Sequence, residues 1–197
     1  MSLVMLNPSS ITERIKHRES QRPEEFTGYI TGLMELWLKV LGGPRSIVEL
    51  GTYTGNSTFA WLACPNTIVT TIDNGPPENL LPLREDIERY GWEGRVNIVR
   101  ADSIQYGEDY PTKYADMVYI DTSHEYVQTR REIEEWVPHI NPHGWLVLDD
   151  IVSYPEVLKA FQYCLEVSCK DRFDWFTGYT QPPFTPESHG LLVASLR

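Results

Sequence analysis

Six carboxylates recur at one kind of place in this chain. Each follows a short run of β-forming residues: Glu49 after "SIV", Asp73 after "TIVTTI", Asp102 after "RVNIVRA", Asp121 after "ADMVYI", and Asp149-Asp150 after "GWLVL". Such groups hold hard cations, move protons, and accept hydrogen bonds from ammonium and hydroxyl groups. A single Asp in this setting often caps a helix or closes a turn. Capping alone is a poor account of five strands in succession, because a cap needs one acceptor and Ser or Thr often serves. The pattern points to a shared site.

The first of these acids opens the run "IVELGTYTGNS", Ile47 to Ser57. A buried strand stops at a tight turn and a helix begins. Gly51 and Gly55 let the backbone approach a ligand, and the N–H groups of the new helix suit a small anion. A dinucleotide fingerprint has the form G-x-G-x-x-G. Here Tyr53 stands where its middle glycine would be and obstructs a pyrophosphate. The turn suits a smaller group such as an amino-acid carboxylate, with Glu49 beside it for an ammonium. Asp73, about twenty residues on, is placed to accept both hydroxyls of a ribose.

The elements that must position these groups alternate along the chain. Residues 9–22 read as a polar helix entered through Ser9 or Ser10 and ended by Pro23. A second helix carries Phe26, Ile30, Leu33, Leu36, Trp37 and Val40 at helical spacing. Strands "RSIVEL", "TIVTTID", "RVNIVRAD", "ADMVYID" and "GWLVLDD" then alternate with helices at 55–63, at "NLLPLREDIERYG" and at "EYVQTRREIEEWVPHI". The helix "YPEVLKAFQYCLEV" and two strands, "FDWFTGY" and "GLLVASL", complete the order. This predicts an α/β fold: a Rossmann-like, doubly wound sheet of about seven strands, mostly parallel with an antiparallel C-terminal strand, and helices on both faces. The expected organisation is an N-terminal helical cap over 1–44 on a domain over 45–197. In such sheets ligands bind at the carboxyl ends of the strands, where the acids stand.

Composition narrows the function. The 197 residues carry 28 acids and 17 bases, a net charge of −11. No basic footprint for nucleic acid is visible, and a small neutral or cationic substrate fits better. No stretch reaches the roughly 18 apolar residues of a membrane span, and the N-terminus lacks a signal-peptide pattern. Cys64, Cys164 and Cys169 have neither a disulfide framework nor metal-ligand spacing, as expected of reduced thiols in a cytoplasmic protein.

The turn "VELGTYTGNS" and the strand ends resemble the class I S-adenosylmethionine-dependent methyltransferases over roughly residues 45–152. Within them, "MVYIDTSHEY" and "GWLVLDD" resemble the small O-methyltransferases related to catechol O-methyltransferase and the macrolide sugar O-methyltransferases. The resemblance implies methyl transfer from S-adenosylmethionine to a hydroxyl of a small molecule. It implies that Glu49, Gly51, Tyr53, Gly55 and Ser57 hold the methionine end of the cofactor, Asp73 its ribose, and Asp102 and Ser103 its adenine, with Asp121 beside it. Asp121, Asp149 and Asp150 match the metal-binding positions, and as hard donors they suit Mg²⁺ or another divalent, oxygen-ligated cation. A homodimer is compatible with the resemblance.

His124 stands where the catechol branch carries a catalytic lysine, and its ordinary pKa suits a base near neutrality. With Asp121 it forms the expected catalytic pair. His139, His143 and His189 are less well placed, the first two because they precede strand five; His17 is assigned no role. Tyr29, Trp37, Tyr154, Tyr179 and Phe184 are expected around the acceptor pocket. Catechol itself is not implied: Ser123 replaces the branch's tryptophan gate, and the nearest acid in the last loop is Glu187. Three alternatives stand beside this reading. They are a non-catalytic cofactor-binding or partner subunit, a metal-independent methyltransferase, and an NAD-linked oxidoreductase, the last weakened by Tyr53.

Overall fold

The computed structural model describes residues 8–21, 28–110, 115–181, 183–185 and 189–197. Pro23, Phe26, Pro182 and Glu187 lie outside them, as do the side chains of Ser9 and Ser10. Seven strands form one sheet: β1 (Ser46–Leu50), β2 (Ile68–Ile72), β3 (Val96–Val99), β4 (Ala115–Ile120), β5 (Ile140–Leu148), β6 (Phe173–Tyr179) and β7 (Leu191–Leu196), in the order β3-β2-β1-β4-β5-β7-β6. Strands β1 to β5 pair in parallel, and β7 runs antiparallel to both β5 and β6. This is the doubly wound sheet that the alternation predicts.

Period-two side chains supply both faces of the sheet. Ile47, Met117, Tyr119, Val147 and Val193 point to one face, where α2 (Tyr29–Lys39), α3 (Asn56–Ala63) and α4 (Leu81–Tyr90) cover them with Leu33, Trp61 and Leu83. Ile11 and Ile15 of α1 (Pro8–Ser20) pack on this same cluster. Val48, Leu50, Val118, Leu146 and Leu192 point the other way. There α6 (Tyr126–Trp136) and α7 (Pro155–Tyr163) bring Ile133, Trp136, Val157 and Phe161, each at most 2% exposed. Covering both faces explains why β4 and β7 read as near-continuous apolar runs.

Two elements differ from the sequence reading. A short helix, α5 (Ser103–Glu108), lies between β3 and β4. Its six residues are too few to show helical periodicity, and they include Gly107. Strand β5 begins at Ile140, before Gly144, so His143 lies within the strand and not ahead of it. His143 has φ 62°, and the β4–β5 register shifts between Ala115 and Met117. The irregularity masks the strand's beginning.

The chain order reverses between β1 and β4, and the crevice opens at their carboxyl ends. Three acids continue the ladder by one bond each: Asp73 N–H donates to Val99 O, Asp121 N–H to Leu50 O and Asp149 N–H to Ile120 O, at 2.9–3.0 Å. Parallel pairing therefore brings these carboxylates to a common rim.

Candidate active site

A cavity of about 690 Å³ occupies the crevice. Gly51, Tyr53, Asp73, Asp102, Ser103, Asp121, His124 and Asp150 line it, so eight of the twelve expected site residues share one wall. Glu49, Gly55, Ser57 and Asp149 are not on that wall.

The turn after β1 is packed against the end of β4. Gly51 has φ 91°, and a Cβ there would lie 1.7 Å from Asp121 O. No other residue type fits. Asp73 ties the same turn to β2: its Oδ2 accepts from the N–H of Thr52 and of Tyr53, each at 2.8 Å, and its Oδ1 from Gly75 N–H at 2.6 Å. A carboxylate offers about four lone-pair sites. Three backbone bonds leave Asp73 about one, fewer than the two ribose hydroxyls require. Asp102 caps α5, accepting from Ile104 and Gln105 N–H at 3.0 and 2.9 Å.

Glu49 lies behind the turn, fully buried. Thr58 and Thr71 hydroxyls donate to its Oε2, and its Oε1 has no hydrogen-bond partner among the described residues. Burial pushes its carboxyl up to about 7, with the hydroxyl bonds opposing. The folded state thus holds a proton that the unfolded chain releases near the ordinary value of 4.5. Glu49's contribution to stability is present below that value and is lost as pH rises through about 7. Glu49→Gln removes the titration. In urea unfolding with a chelator present, the variant is expected to match the parent at pH 4.5, to lose less stability on going to pH 8, and to be the more stable of the two there. Parallel pH profiles would show that Glu49 is not the group responsible.

Arg18 of α1 reaches the other side of the turn. It bonds Asp86 Oδ2 at 2.6 Å, Asn56 Oδ1 at 2.8 Å and Thr54 O at 3.3 Å, and lies over the Phe59 ring. Arg14 holds the second oxygen of the fully buried Asp86. A buried charge paired in this way is costly to uncouple, so α1 is firmly fastened across the glycine turn. Arg14 and Arg18, four apart on one helix, are the only trace of this in the sequence.

At the adenine end expected from the sequence, Ser103 Oγ donates to Glu132 Oε1 at 2.5 Å. Gln128 and Thr122 also bond Glu132, at 2.9 and 2.8 Å. Burial pushes the Glu132 carboxyl up. Sequence reasoning passes over Glu132, since "REIEEW" resembles a solvated helix face and only packing shows which acid turns inward.

At the opposite end Asp149 and Asp150 diverge. Strand β5 ends at Leu148 and Asp150 has φ 62°, so the two adjacent side chains serve different places. Asp149 Oδ2 accepts from Tyr29 and Tyr119 hydroxyls at 2.7 and 2.5 Å, and Oδ1 takes Asp150 N–H at 2.8 Å. Burial first, then the charges of Asp121 and Asp150, push its carboxyl up to about 7. Asp150 faces the cavity between two imidazoles, 3.2 Å from His124 Nε2 and 2.6 Å from His189 Nδ1. Burial works against its charge, but the two imidazoles win and hold it at about 2. His189 was set aside in the sequence reading. The structure places it on the cavity wall.

His124 Nε2 also meets Asp121 Oδ1 at 3.1 Å, and its ring stacks on Tyr154 at 4.3 Å between centroids. Burial lowers the affinity of His124 for its proton, yet Asp121 and Asp150 overcome this and raise it to about 10. Of the other aromatic residues expected near the site, Tyr29 lines the cavity, whereas Trp37 is core and donates to Pro44 O. Tyr179 and Phe184 pack edge-to-face, and a Cβ on Gly32 of α2 would come within 2.6 Å of Phe184 O.

The donor set fits a divalent cation. Asp121, His124 and Asp150 bring one ligand atom each to within 4.8 Å of one another, and so do Asp149, Asp150 and His189. Carboxylates this close repel unless protons, imidazolium or a cation intervene. That repulsion adds to burial in raising the proton affinity of Asp149, whereas the two imidazoles hold that of Asp150 down.

The family model described as methyltransferase domain matches residues 48–151, from β1 to just past Asp150. The chain belongs to this family. The match covers the glycine turn and every acid at the rim, and it agrees with the resemblance drawn from "VELGTYTGNS". Solved structures show the same fold for the whole methyltransferase-domain chain. An O-methyltransferase from Bacillus cereus in complex with SAH is 19% identical, with a TM-score of 0.70 over 98% of this chain and 94% of that one. The cofactor-bound protein Rv0187 from MTB is 16% identical, with a TM-score of 0.70 over 98% and 93%. A methyltransferase from Geobacter sulfurreducens is 16% identical, with a TM-score of 0.67 over 95% and 89%. No curated protein matches the chain. Among the described residues no helix is long and apolar enough to cross a membrane.

Proposed function

We infer that this methyltransferase-domain protein moves a methyl group from S-adenosylmethionine to a hydroxyl of a small molecule, with a divalent cation and His124 assisting. The observation that carries this reading is the meeting of Asp121, His124 and Asp150 in the same cavity as the Gly51 turn. A cavity of about 690 Å³ is in the range of small-molecule sites. The acidic chain favours a compact, uncharged or cationic acceptor over a nucleic acid.

Each residue then has a task. The Gly51 turn, with no side chain at its tightest point, lets the methionine end of the cofactor approach the backbone closely. Asp73 keeps one acceptor site for the ribose, and Ser103 with Glu132 borders the adenine. Asp121 and Asp150 would hold the cation, while Asp149, the third acid expected there, is bonded to the Tyr29 and Tyr119 hydroxyls behind them. S-adenosylmethionine supplies a methyl on cationic sulfur, which moves by in-line displacement to the acceptor oxygen. When bound, a divalent ion supplies Lewis acidity to the acceptor hydroxyl and offsets the carboxylate charge that keeps His124 protonated. His124, once neutral, takes the hydroxyl proton on Nε2. Tyr154 stacked on its ring fixes the imidazole plane, and Tyr29 closes the cavity beside it.

The test is calorimetric titration with S-adenosylhomocysteine, with and without Mg²⁺. Binding in both buffers is the expected result and justifies an acceptor screen beginning with phenols and sugars. Absence of binding in both would overturn the proposal in favour of a non-catalytic subunit.

A further inference from the structure

We propose that Glu132 is a positioning residue that sets which nucleobase the cofactor site accepts: it takes up the protons of the surrounding donors, leaves only hydrogen-bond acceptors facing the base, and so selects a 6-aminopurine over a 6-oxopurine. The inference rests on the S-adenosylmethionine reading above and deepens it at the adenine end.

Two helices bring the group together. Gln128, Glu132 and Trp136 are spaced four apart on α6 and share the face turned to Ser103 of α5. The helices approach closely: a Cβ on Gly107 of α5 would come within 2.5 Å of Glu135 Cγ and 3.2 Å of Trp136 Nε1. Trp136 Nε1 donates to Ser103 O at 3.1 Å, and Asp102 caps the helix that Ser103 begins. Ser103 is therefore held by its main chain, and its hydroxyl turns to Glu132. Ser103, Thr122, Gln128 and Glu132 all line the cavity. Glu132 is fully buried, so it acts through the side chains bonded to it.

The donors can be counted. Ser103 has one hydroxyl proton and gives it to Glu132 Oε1 at 2.5 Å. Thr122 gives its own to Oε2 at 2.8 Å. Gln128 has two amide protons on Nε2 and directs them to Glu132 Oε1 at 2.9 Å and to Ser103 Oγ at 3.3 Å. A carboxylate only accepts, which fixes the Gln128 amide with its nitrogen toward Glu132 and its oxygen away. Burial opposes the charge on Glu132, and the donors around it favour that charge. Every side-chain proton of these three neighbours is thus committed inside the group. What remains are lone pairs on Ser103 Oγ, Thr122 Oγ1 and Gln128 Oε1.

A wall of acceptors fits a ligand edge that donates. The exocyclic amine of adenine offers two N–H groups. A 6-oxopurine sets a carbonyl oxygen in the same place, lone pair against lone pair, and leaves the acceptors unmatched. Unmatched polar groups in a closed site weaken binding by about 10–100-fold.

Full-length protein at pH 8 should be titrated calorimetrically with S-adenosylhomocysteine and, separately, with its deaminated analogue S-inosylhomocysteine. The parent is expected to bind the adenine ligand about 10–100-fold more tightly. Glu132→Gln keeps the shape but brings an N–H donor into the group, which turns a neighbouring proton out toward the base. Its preference for adenine is expected to fall to about threefold or less. Glu134→Gln, whose parent carboxylate pairs with Arg130 at 3.8 Å, is the control and should keep the parent ratio. A merely structural role for Glu132 would weaken both ligands alike and preserve the ratio, which overturns the proposal. A parent without preference for adenine overturns it as well, and leaves the cofactor reading intact. Should Glu132→Gln fail to fold in a thermal melt, Ser103→Ala carries the test, because Ser103 Oγ is an acceptor through which Glu132 acts. A lowered ratio there supports the proposal and an unchanged one overturns it. If the parent binds neither ligand, the cofactor reading fails and this inference falls with it.

Discussion

Gly51→Ala is expected to destabilise the fold by about 2–6 kcal/mol, the sum of a left-handed backbone and a forced steric displacement. Both terms come from one place. The residue has φ 91°, and the added carbon would stand 1.7 Å from the carbonyl oxygen of Asp121. That oxygen belongs to the chain end of a central strand, so relief requires β1 and β4 to part. Domains of this size have about 5–15 kcal/mol in all, so the variant should melt far below the parent or fail to accumulate. Gly91→Ala is the control. It has φ 65° with nothing within 4 Å of the new carbon, so it carries the backbone strain without the collision. Chemical denaturation of the three proteins separates the two terms. Equal losses in the two variants would refute the close approach of the β1 and β4 turns.

Asp121→Ala should leave the fold and S-adenosylhomocysteine binding nearly intact while turnover of the acceptor found by screening falls by about 10²–10⁴-fold. The side chain is 28% exposed and packs nothing in the core. Its Oδ1 engages His124 and it shares a potential ligand group with Asp150. Removing it takes one donor from the proposed cation site and one of the two carboxylates that raise the proton affinity of His124. Asp121→Asn keeps the shape and removes only the charge, so a similar loss there assigns the effect to electrostatics. Turnover at the parent rate in either variant would sink the roles given to Asp121, the cation and His124 together.

How much of this was legible in the sequence depends on how local each cause is. The parallel strands were, because "SIVEL" or "ADMVYI" needs only its own apolar run and the turn that follows. The acids at the rim were, because every parallel strand ends on the same side of a sheet. Helix α5 was not, since Ser103–Glu108 is too short for a period. The fate of Asp149 was not, since it depends on hydroxyls from Tyr29 and Tyr119, 120 and 30 residues away. Asp73 looked free for a ribose, but the turn twenty residues earlier takes half of its capacity. His189 was missed for a third reason. Its position follows from the register of an antiparallel strand, and nothing in "SHG" encodes which residue of β5 it will meet.

The placement of β7 bears on the order of assembly. This strand fills the slot between β5 and β6, and among the described residues β6 pairs with no other strand. A chain collapsed around β1 to β5 therefore carries an open sheet edge, a template for unwanted pairing with other chains. β6 has no seat until the last strand is laid down. His189, two residues ahead of β7, arrives at Asp150 in the same event. Long-range closure of this kind is slow relative to helix formation, so a partly assembled molecule lacks both a protected edge and a finished cluster. The last strand to be laid down thus both closes the sheet and completes the surroundings of Asp150.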